Sequence, residues 1–146
     1  MKTLDISEKE KISYCIPTEL RDEHIRINCA KVTGRLGVEP AKDIRPEPIA
    51  IVCFGPSLKE TWEQLRDFKY IITCSGAHKF LIERGIIPTW HVELEPREHK
   101  VAMLGSPHPD VEYLIASTIH PRYLDALKEF NVKLWHIFAS DAEAQR

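Results

Sequence analysis

The chain has 146 residues, enough for one domain with a single hydrophobic core. Its apolar share of 43% and charged share of 29% are ordinary for a globular protein, and its net charge of −2 gives no reason to expect a nucleic acid or an anionic membrane as partner. No apolar run approaches the roughly 20 residues that span a bilayer. We therefore predict neither a nucleic-acid partner nor a membrane partner, and leave the oligomeric state open.

The four cysteines and the N-terminus favour a cytoplasmic location. Residues 1–11 are charged and lack the apolar segment of a secretory signal. No two of the cysteines have C-x-x-C spacing, and Cys53 and Cys74 fall in predicted buried strands. We interpret them as reduced core thiols, not as a zinc site or a disulfide framework.

The N-terminal part, residues 1–48, is predicted to be a helical lead-in followed by a linker. Residues 1–18 are interpreted as loosely packed. Residues 19–36 predict a helix, because Ile25, Cys29 and Val32 recur on one stripe. Residues 37–48 contain three prolines and predict the linker.

The second part, residues 49–146, is predicted to be a Rossmann-like domain in which strands and helices alternate. The predicted strands are 49–54, 70–74, 90–94, 112–116 and 132–138. The predicted helices are one that starts directly after Gly55, then 77–84, 97–104 and 121–130, with Gly85 and Gly105 as helix stops. Such alternation predicts a parallel sheet with right-handed crossovers. The predicted class is a three-layer α/β Rossmann-like fold, with a mostly parallel sheet of about five strands after an N-terminal helix.

No closing helix pattern follows the fifth predicted strand in residues 141–146. Two interpretations are open: a sheet that is incomplete at its C-terminus, or a chain that is part of a longer protein.

The end of the first strand predicts a phosphate site. The apolar run 49–54 stops at Gly55, and a helical pattern begins at once after Pro56 and Ser57. Amide groups at a helix N-terminus favour anions. The alternative is purely structural, because Ser57 and Glu60 have the spacing of a capping box, which begins helices in proteins of every function.

Polar residues also follow other predicted strands. Ser75 and Gly76 follow the second strand, and Ser117, Thr118 and His120 follow the fourth. Ligands of open parallel sheets bind outside the carboxyl ends of the strands, near the point where the strand order reverses. We therefore predict that these residues bind the ligand, with His120 as an acid or base. The alternative is that turns favour such residues in any case.

The third strand carries the predicted metal site. His91, Glu93 and Glu95 share one face of it, and carboxylates beside a phosphate commonly hold Mg²⁺. Glu95 is the first predicted ligand and Glu93 the second, and Arg97 could pair with a phosphate. The alternative is an edge strand with one solvated face, on which Arg97 pairs with a glutamate.

Five segments in order resemble the 6-hydroxymethylpterin diphosphokinase MptE-like family, which also includes motility accessory factor proteins of flagellin glycosylation. These segments are G-P-S-L at 55–58, S-G-A at 75–77, L-I-E-R-G-I-I-P at 81–88, L-E-P-R at 94–97 and A-S-T-I-H-P at 116–121. The resemblance covers about residues 48–138. One departure is Glu95, where the family usually has aspartate.

The resemblance implies a Mg²⁺-dependent transferase that binds a nucleotide di- or triphosphate. One branch transfers diphosphate from ATP to a pterin alcohol, and another is associated with sugar transfer from nucleotide-activated sugars. Both alternatives stay open, as does a third of another class: a non-catalytic nucleotide-binding or assembly module, favoured by Glu95 and by the short C-terminus.

Overall fold

A computed structural model describes residues 15–37 and 46–137. Most of the predicted N-terminal lead-in, the middle of the linker and Phe138 with the chain after it lie outside the described residues.

The described ranges contain helices and strands that alternate from residue 49 onward. The helices are α1 (Thr18–Lys31), α2 (Leu58–Thr61), α3 (Ala77–Ile82), α4 (Lys100–Leu104) and α5 (Pro121–Ala126), and a 3₁₀ helix, Trp62–Asp67, follows α2. The strands are β1 (Ile49–Val52), β2 (Tyr70–Cys74), β3 (Trp90–Glu93), β4 (Glu112–Ala116) and β5 (Asn131–Trp135).

The five strands form one parallel sheet in the order β1-β2-β3-β4-β5. This confirms the predicted Rossmann-like α/β class, including the helix that precedes the sheet. The order does not reverse within the described strands, so the predicted location of the ligand at a reversal of strand order does not apply to them. All five carboxyl ends nevertheless lie along one edge of the sheet, called here the carboxyl edge.

One face of the sheet is buried under the helices. Alternate residues of a strand point to opposite faces, and the register aligns Val52 with Thr73, Thr73 with His91, and His91 with Tyr113. All four are buried. The apolar side chains of this face form two clusters, one with α2 and α3 around Val52 and one with α4 and α5 around Tyr113.

The opposite face is half-exposed in the described part of the chain. Ile51 is 72% exposed, and its aligned neighbours Ile72 and Trp90 are half-buried. The prediction that the first strand is buried was wrong for Ile49 and Ile51, which are exposed. In the described sheet β1 is an edge strand, and its Ala50 and Val52 face the helices.

The N-terminal helix is shorter than predicted because its last predicted residues join the sheet. The N–H of Leu36 donates to the carbonyl of Leu134 at 2.9 Å, and the N–H of Leu134 donates to the carbonyl of Gly34 at 3.0 Å. A Cβ at Gly34 would stand 2.7 Å from the carbonyl oxygen of Val132, so only glycine allows this approach. Helical periodicity cannot foresee such pairing with a distant strand.

The cysteines are more exposed than predicted. All four cysteines are free; Cys15, Cys29 and Cys53 are exposed and Cys74 is half-buried. Cys53 is not a core thiol, since β1 ends one residue earlier.

The predicted helix stop at Gly85 is confirmed by its φ of 71° and by the hydrogen bond from its N–H to the carbonyl of Ile82. In the described ranges, no helix is both long and apolar enough to cross a membrane.

Candidate functional site at the carboxyl edge

The turn after β1 is open to solvent but lacks a helix N-terminus of useful length. Ser57 is exposed, and α2 contains four residues before the 3₁₀ helix begins. The N–H of Gly55 donates a hydrogen bond to the carbonyl of Cys53 at 3.0 Å, and the N–H of Leu58 donates to the carbonyl of Gly55 at 3.1 Å. Ser57 has helical φ and ψ and makes no side-chain capping bond, so the capping box does not form. The turn therefore offers the exposed hydroxyl of Ser57 to a ligand, but it lacks the dipole of a long helix.

The turn after β2 holds a strained serine. Ser75 has a φ of 54°, a conformation that costs a side-chain-bearing residue about 1–2 kcal/mol. Its hydroxyl accepts a hydrogen bond from the ammonium group of Lys100, the first residue of α4, at 2.6 Å. This contact ties the end of β2 to the helix that follows β3.

Glu93, the last residue of β3, is the most buried acid of this edge, with 5% of the residue exposed. Its Oε1 accepts the N–H groups of Leu94 and Glu95 at 3.0 and 3.1 Å. Its buried Oε2 has no hydrogen-bond partner, and the ammonium of Lys100 lies 4.0 Å from it. A buried carboxylate oxygen that accepts no hydrogen bond lowers the stability of the fold, so a ligand or cation that contacts Oε2 of Glu93 would remove this cost.

Glu95 is already engaged on both oxygens. Arg97 donates Nε to Oε1 at 2.7 Å and Nη2 to Oε2 at 3.0 Å, and the thiol of Cys15 donates to Oε1 at 3.3 Å. The hydrogen bonds from Arg97 lower the pKa of Glu95 to about 2. Arg97 itself stays half-exposed, so the pair lies at the mouth of the site.

A chain of hydrogen bonds lies beneath Glu93. Thr73 donates its hydroxyl to the Trp90 carbonyl at 3.3 Å and therefore accepts from Nδ1–H of His91 at 3.0 Å. Nε2 of His91 is then an acceptor, and the hydroxyl of Tyr123 donates to it at 2.9 Å. Burial lowers the pKa of His91 to about 3 and raises that of Tyr123. The chain is thus neutral and holds β3 in place.

A second histidine–tyrosine pair lies beside the first. His78 is fully buried, and because Nδ1 lies 2.7 Å from the Leu104 carbonyl, this nitrogen carries the proton. The hydroxyl of Tyr113 then donates to Nε2 at 3.0 Å and accepts the N–H of His108 at 2.8 Å. Burial lowers the pKa of His78. His78 faces the core and does not point to the carboxyl edge.

Helix α1 covers the end of β4. Ser117 is buried, and its hydroxyl lies 2.5 Å from Nδ1 of His136. Nδ2 of Asn28 donates to the carbonyl of Ser117 at 2.9 Å and to that of Ile119 at 2.7 Å, and Nδ1 of His24 lies 3.1 Å from the carbonyl of Thr118. Ser117 and Thr118 are therefore tied to α1 and not grouped with Glu93.

His120 begins α5. Its Nδ1 accepts the N–H of Arg122 at 3.3 Å, and its ring packs edge-on against His24 at 5.2 Å. Burial lowers its pKa. The contacts of His120 thus belong to the α1–α5 junction.

Five predicted site residues lie where β2 and β3 end: Ser75, Gly76, Glu93, Glu95 and Arg97. Gly76 and Glu93 are buried, Ser75 and Glu95 are half-buried, and Arg97 is exposed. The turn of Gly55, Pro56 and Ser57 adjoins this region, because a Cβ at Gly76 would stand 2.9 Å from the ring of Phe54. Sequence reasoning missed Lys100. The sequence contained one indication of it: Lys100 lies in the predicted helix 97–104, which begins at the edge of the sheet where the ligand was expected.

The donor set suits a cation that arrives with phosphates. No group of three or more histidine, cysteine or acidic side chains that could hold a metal exists among the described residues. Mg²⁺ is usually held by one or two carboxylates together with water and substrate phosphates. The free Oε2 of Glu93 meets this modest requirement, whereas Glu95 meets it only if Arg97 leaves its oxygens, so the two acids do not form a self-sufficient metal site.

Comparisons with known proteins agree with this fold. A search of curated proteins finds no match. The structure of the Maf glycosyltransferase from Magnetospirillum magneticum AMB-1 superposes with a TM-score of 0.52 at 21% identity, over 82% of this chain and 20% of that one. The chain thus spans about one fifth of that protein, and the similarity shows a shared fold. The family model 6-hydroxymethylpterin diphosphokinase MptE-like matches residues 24–144. This match extends from within α1 past the end of β5, and on it the chain belongs to the 6-hydroxymethylpterin diphosphokinase MptE-like family.

Proposed function

We propose that the chain is a transferase domain that binds the phosphates of a nucleotide di- or triphosphate at the carboxyl edge, together with Mg²⁺. The observation that carries the proposal is the group of Glu93, Lys100 and Ser75. A buried carboxylate oxygen without a hydrogen bond, a lysine ammonium and a strained serine meet where β2 and β3 end. Strain and unsatisfied buried polar atoms cluster at functional sites.

Each residue has a definite role in this proposal. Lys100 contacts a phosphate oxygen, and Ser75 with Gly76 supports the same phosphate through its hydroxyl and amide. The turn at residues 55–57 contacts the second phosphate. Glu93 and Glu95 would hold Mg²⁺, whose chemistry is to neutralise the charge that develops on the transferred group. Arg97 neutralises the same charge from the solvent side.

Within this class we favour diphosphoryl transfer, because the family is described by that activity. The hydroxymethyl oxygen of a pterin would form a bond to the β-phosphorus of ATP while the bond from that phosphorus to the α–β bridging oxygen breaks. The products are the pterin diphosphate, AMP and a proton. The alternative is glycosyl transfer from a nucleotide-activated sugar, in which the same edge holds the nucleoside diphosphate that leaves.

Binding is tested by calorimetry with Mg²⁺ alone, Mg²⁺-ATP and a panel of Mg²⁺-loaded nucleoside diphosphates. Lys100→Ala and Glu93→Gln should each weaken nucleotide binding by about tenfold or more, in line with the loss of one charge-assisted contact. Lys128→Ala and Glu129→Gln are matched controls, because both residues are exposed on the surface near α5. Equal losses in the test and control variants, or no nucleotide binding by the wild type, would refute the proposal.

A non-catalytic nucleotide-binding module is the second candidate, and one observation favours it. Arg97 occupies both oxygens of Glu95, which leaves Glu93 as the only acid of the pair with a free oxygen. Turnover is assayed with ATP and 6-hydroxymethylpterin and, separately, with nucleotide sugars. Mg²⁺-dependent turnover that Glu95→Ala abolishes excludes the module. Tight binding without turnover supports it. A cytoplasmic location stays a prediction under both candidates.

A further inference from the structure

A cavity of about 270 Å³ opens beside the phosphate-binding group. It lies between the turn after β1, helix α3 and helix α4. The side chains and backbone that define it are those of Phe54, Gly76, Lys79, Phe80, Glu83 and Met103.

The wall of the cavity is aromatic and open. Phe54 is 50% exposed although it lies two residues after the apolar strand β1. Its ring lies across Gly76, where a Cβ would approach to 2.9 Å, and packs tilted on Phe80 with 6.3 Å between ring centroids. The ring is therefore positioned by two contacts, while half of its surface remains available.

The cavity and the phosphate-binding group share two elements. Gly76, which lines the cavity, follows Ser75, whose hydroxyl binds the ammonium of Lys100. Met103, on the cavity wall, lies one turn after Lys100 in α4. A ligand with its phosphate at Lys100 therefore has this cavity next to it.

The chemistry of the lining fits a planar heteroaromatic ring. Phe54 supplies an aromatic ring surface for stacking, and Met103 a polarisable sulfur. Lys79 in α3 and Glu83, the C-cap residue of that helix, are both exposed, so the cavity has a hydrogen-bond donor and an acceptor among its lining residues. A nucleobase or a pterin presents flat faces and a mixed donor–acceptor edge, which matches this arrangement.

Resting on the proposed phosphate site, we propose that the cavity between Phe54 and Met103 is the ring subsite of the domain and holds the heteroaromatic ring of the ligand. The ring stacks on Phe54, and its polar edge faces Lys79 and Glu83. The source of the ring, nucleotide or pterin acceptor, is decided by the ligands used in the test.

The test compares ligands with and without a ring on the whole chain. Binding of Mg²⁺-ATP, Mg²⁺-tripolyphosphate, adenosine and 6-hydroxymethylpterin is measured for the wild type and for Phe54→Ala. Phe54→Ala should weaken the ring-bearing ligand by about fivefold or more and leave tripolyphosphate within twofold. Gly76→Ala is the second variant, because its methyl group displaces the Phe54 ring without removing it. Ile87→Ala, which truncates another exposed apolar side chain, is the matched control.

The outcomes separate the subsite from the phosphate site. Loss of adenosine and ATP binding in Phe54→Ala identifies a nucleobase subsite, and loss of pterin binding alone identifies an acceptor subsite. Equal weakening of tripolyphosphate and ATP, or unchanged binding of every ring compound, overturns the ring subsite while the phosphate site stands. If neither ATP nor tripolyphosphate binds the wild type, the phosphate site fails. Adenosine and pterin then decide the subsite alone: binding that Phe54→Ala weakens supports it, and no binding of either overturns it.

Discussion

The contact between Glu93 and Lys100 can be measured by a double-variant cycle. The two side chains are 5% and 14% exposed, and their charged atoms stand 4.0 Å apart. At an effective dielectric constant of about 20, Coulomb attraction at this distance is about 4 kcal/mol before desolvation is subtracted. Removing one member of a buried pair typically destabilises a protein by about 3–5 kcal/mol.

Glu93→Gln keeps an oxygen for the two backbone amides that Oε1 accepts, and removes only the charge. Lys100 retains the Ser75 hydroxyl and some solvent, so we expect a loss of about 2–3 kcal/mol in the free energy of unfolding. Lys100→Met leaves the more buried Glu93 unpaired and should cost about 3 kcal/mol or more. The double variant should lose at least about 1 kcal/mol less than the sum of the single losses.

Urea unfolding followed by circular dichroism measures the free energy of unfolding of all four proteins. In thermal unfolding, the single losses should also appear as decreases in Tm of at least about 4 °C. Glu129→Gln is the control for the charge change alone. If the single effects add within about 0.5 kcal/mol, the two groups do not interact, and the assignment of Lys100 to this carboxylate is wrong.

Three other predictions concern His91 in the core, Ser75 in the turn after β2, and Asn28 in the helix that covers β4. The pKa of His91 falls from an unfolded value of 6.5 to about 3, so the unfolded state binds more protons, and stability should fall by about 2 kcal/mol between pH 6.5 and pH 5; urea titrations that show no slope contradict this, and His99→Gln, at an exposed site, should leave it unchanged. Ser75→Gly should be about 1 kcal/mol more stable than Ser75→Ala, because both lose the hydroxyl and only alanine retains strain at a φ of 54°; equal Tm values would contradict the strain. Asn28→Ala removes two hydrogen bonds to carbonyls of the β4–α5 turn and should cost about 2–3 kcal/mol in urea unfolding, whereas Cys29→Ala, at an exposed position of the same helix, should cost under about 0.5 kcal/mol.

Local patterns predicted those elements whose signals are local. The strands Tyr70–Cys74 and Glu112–Ala116 match their predicted bounds, because each apolar run is closed by residues that favour turns. Gly85 was foreseen as a helix stop because a residue with positive φ there favours glycine. The alternating polar face of the third strand was also visible, and its central place in the sheet removes the alternative of an edge strand.

What the patterns could not show are contacts between distant residues. Residues 32–36 continue a helical stripe, yet they pair with β5 because that edge was free. Lys100 carries no motif, and its meeting with Glu93 and Ser75 depends on how β2, β3 and α4 pack. The cover that α1 places over Ser117 rests on the buried Asn28, which an amphipathic pattern records only as a polar residue.

Because α1 covers the end of β4, the candidate site is confined to the ends of β1, β2 and β3. The charges of the side chains there predict that phosphate binding depends on a cation. The formal charges of Glu93, Glu95, Lys100 and Arg97 sum to zero, and each acid lies beside one of the bases. A diphosphate brings at least two negative charges that this neutral group does not compensate, and a low-dielectric edge makes the deficit costly. A divalent cation held by Glu93 would restore the balance.

We therefore expect nucleoside di- and triphosphates to bind at least tenfold more tightly with Mg²⁺ than with EDTA, whereas the monophosphate depends less on the metal. Calorimetry with AMP, ADP and ATP in both buffers measures this. Glu93→Gln removes one negative charge and should reduce the Mg²⁺ effect, while Glu129→Gln should preserve it. Nucleotide affinity that is the same with and without Mg²⁺ would show that the basic side chains suffice, and the role of the two glutamates as metal ligands would be wrong.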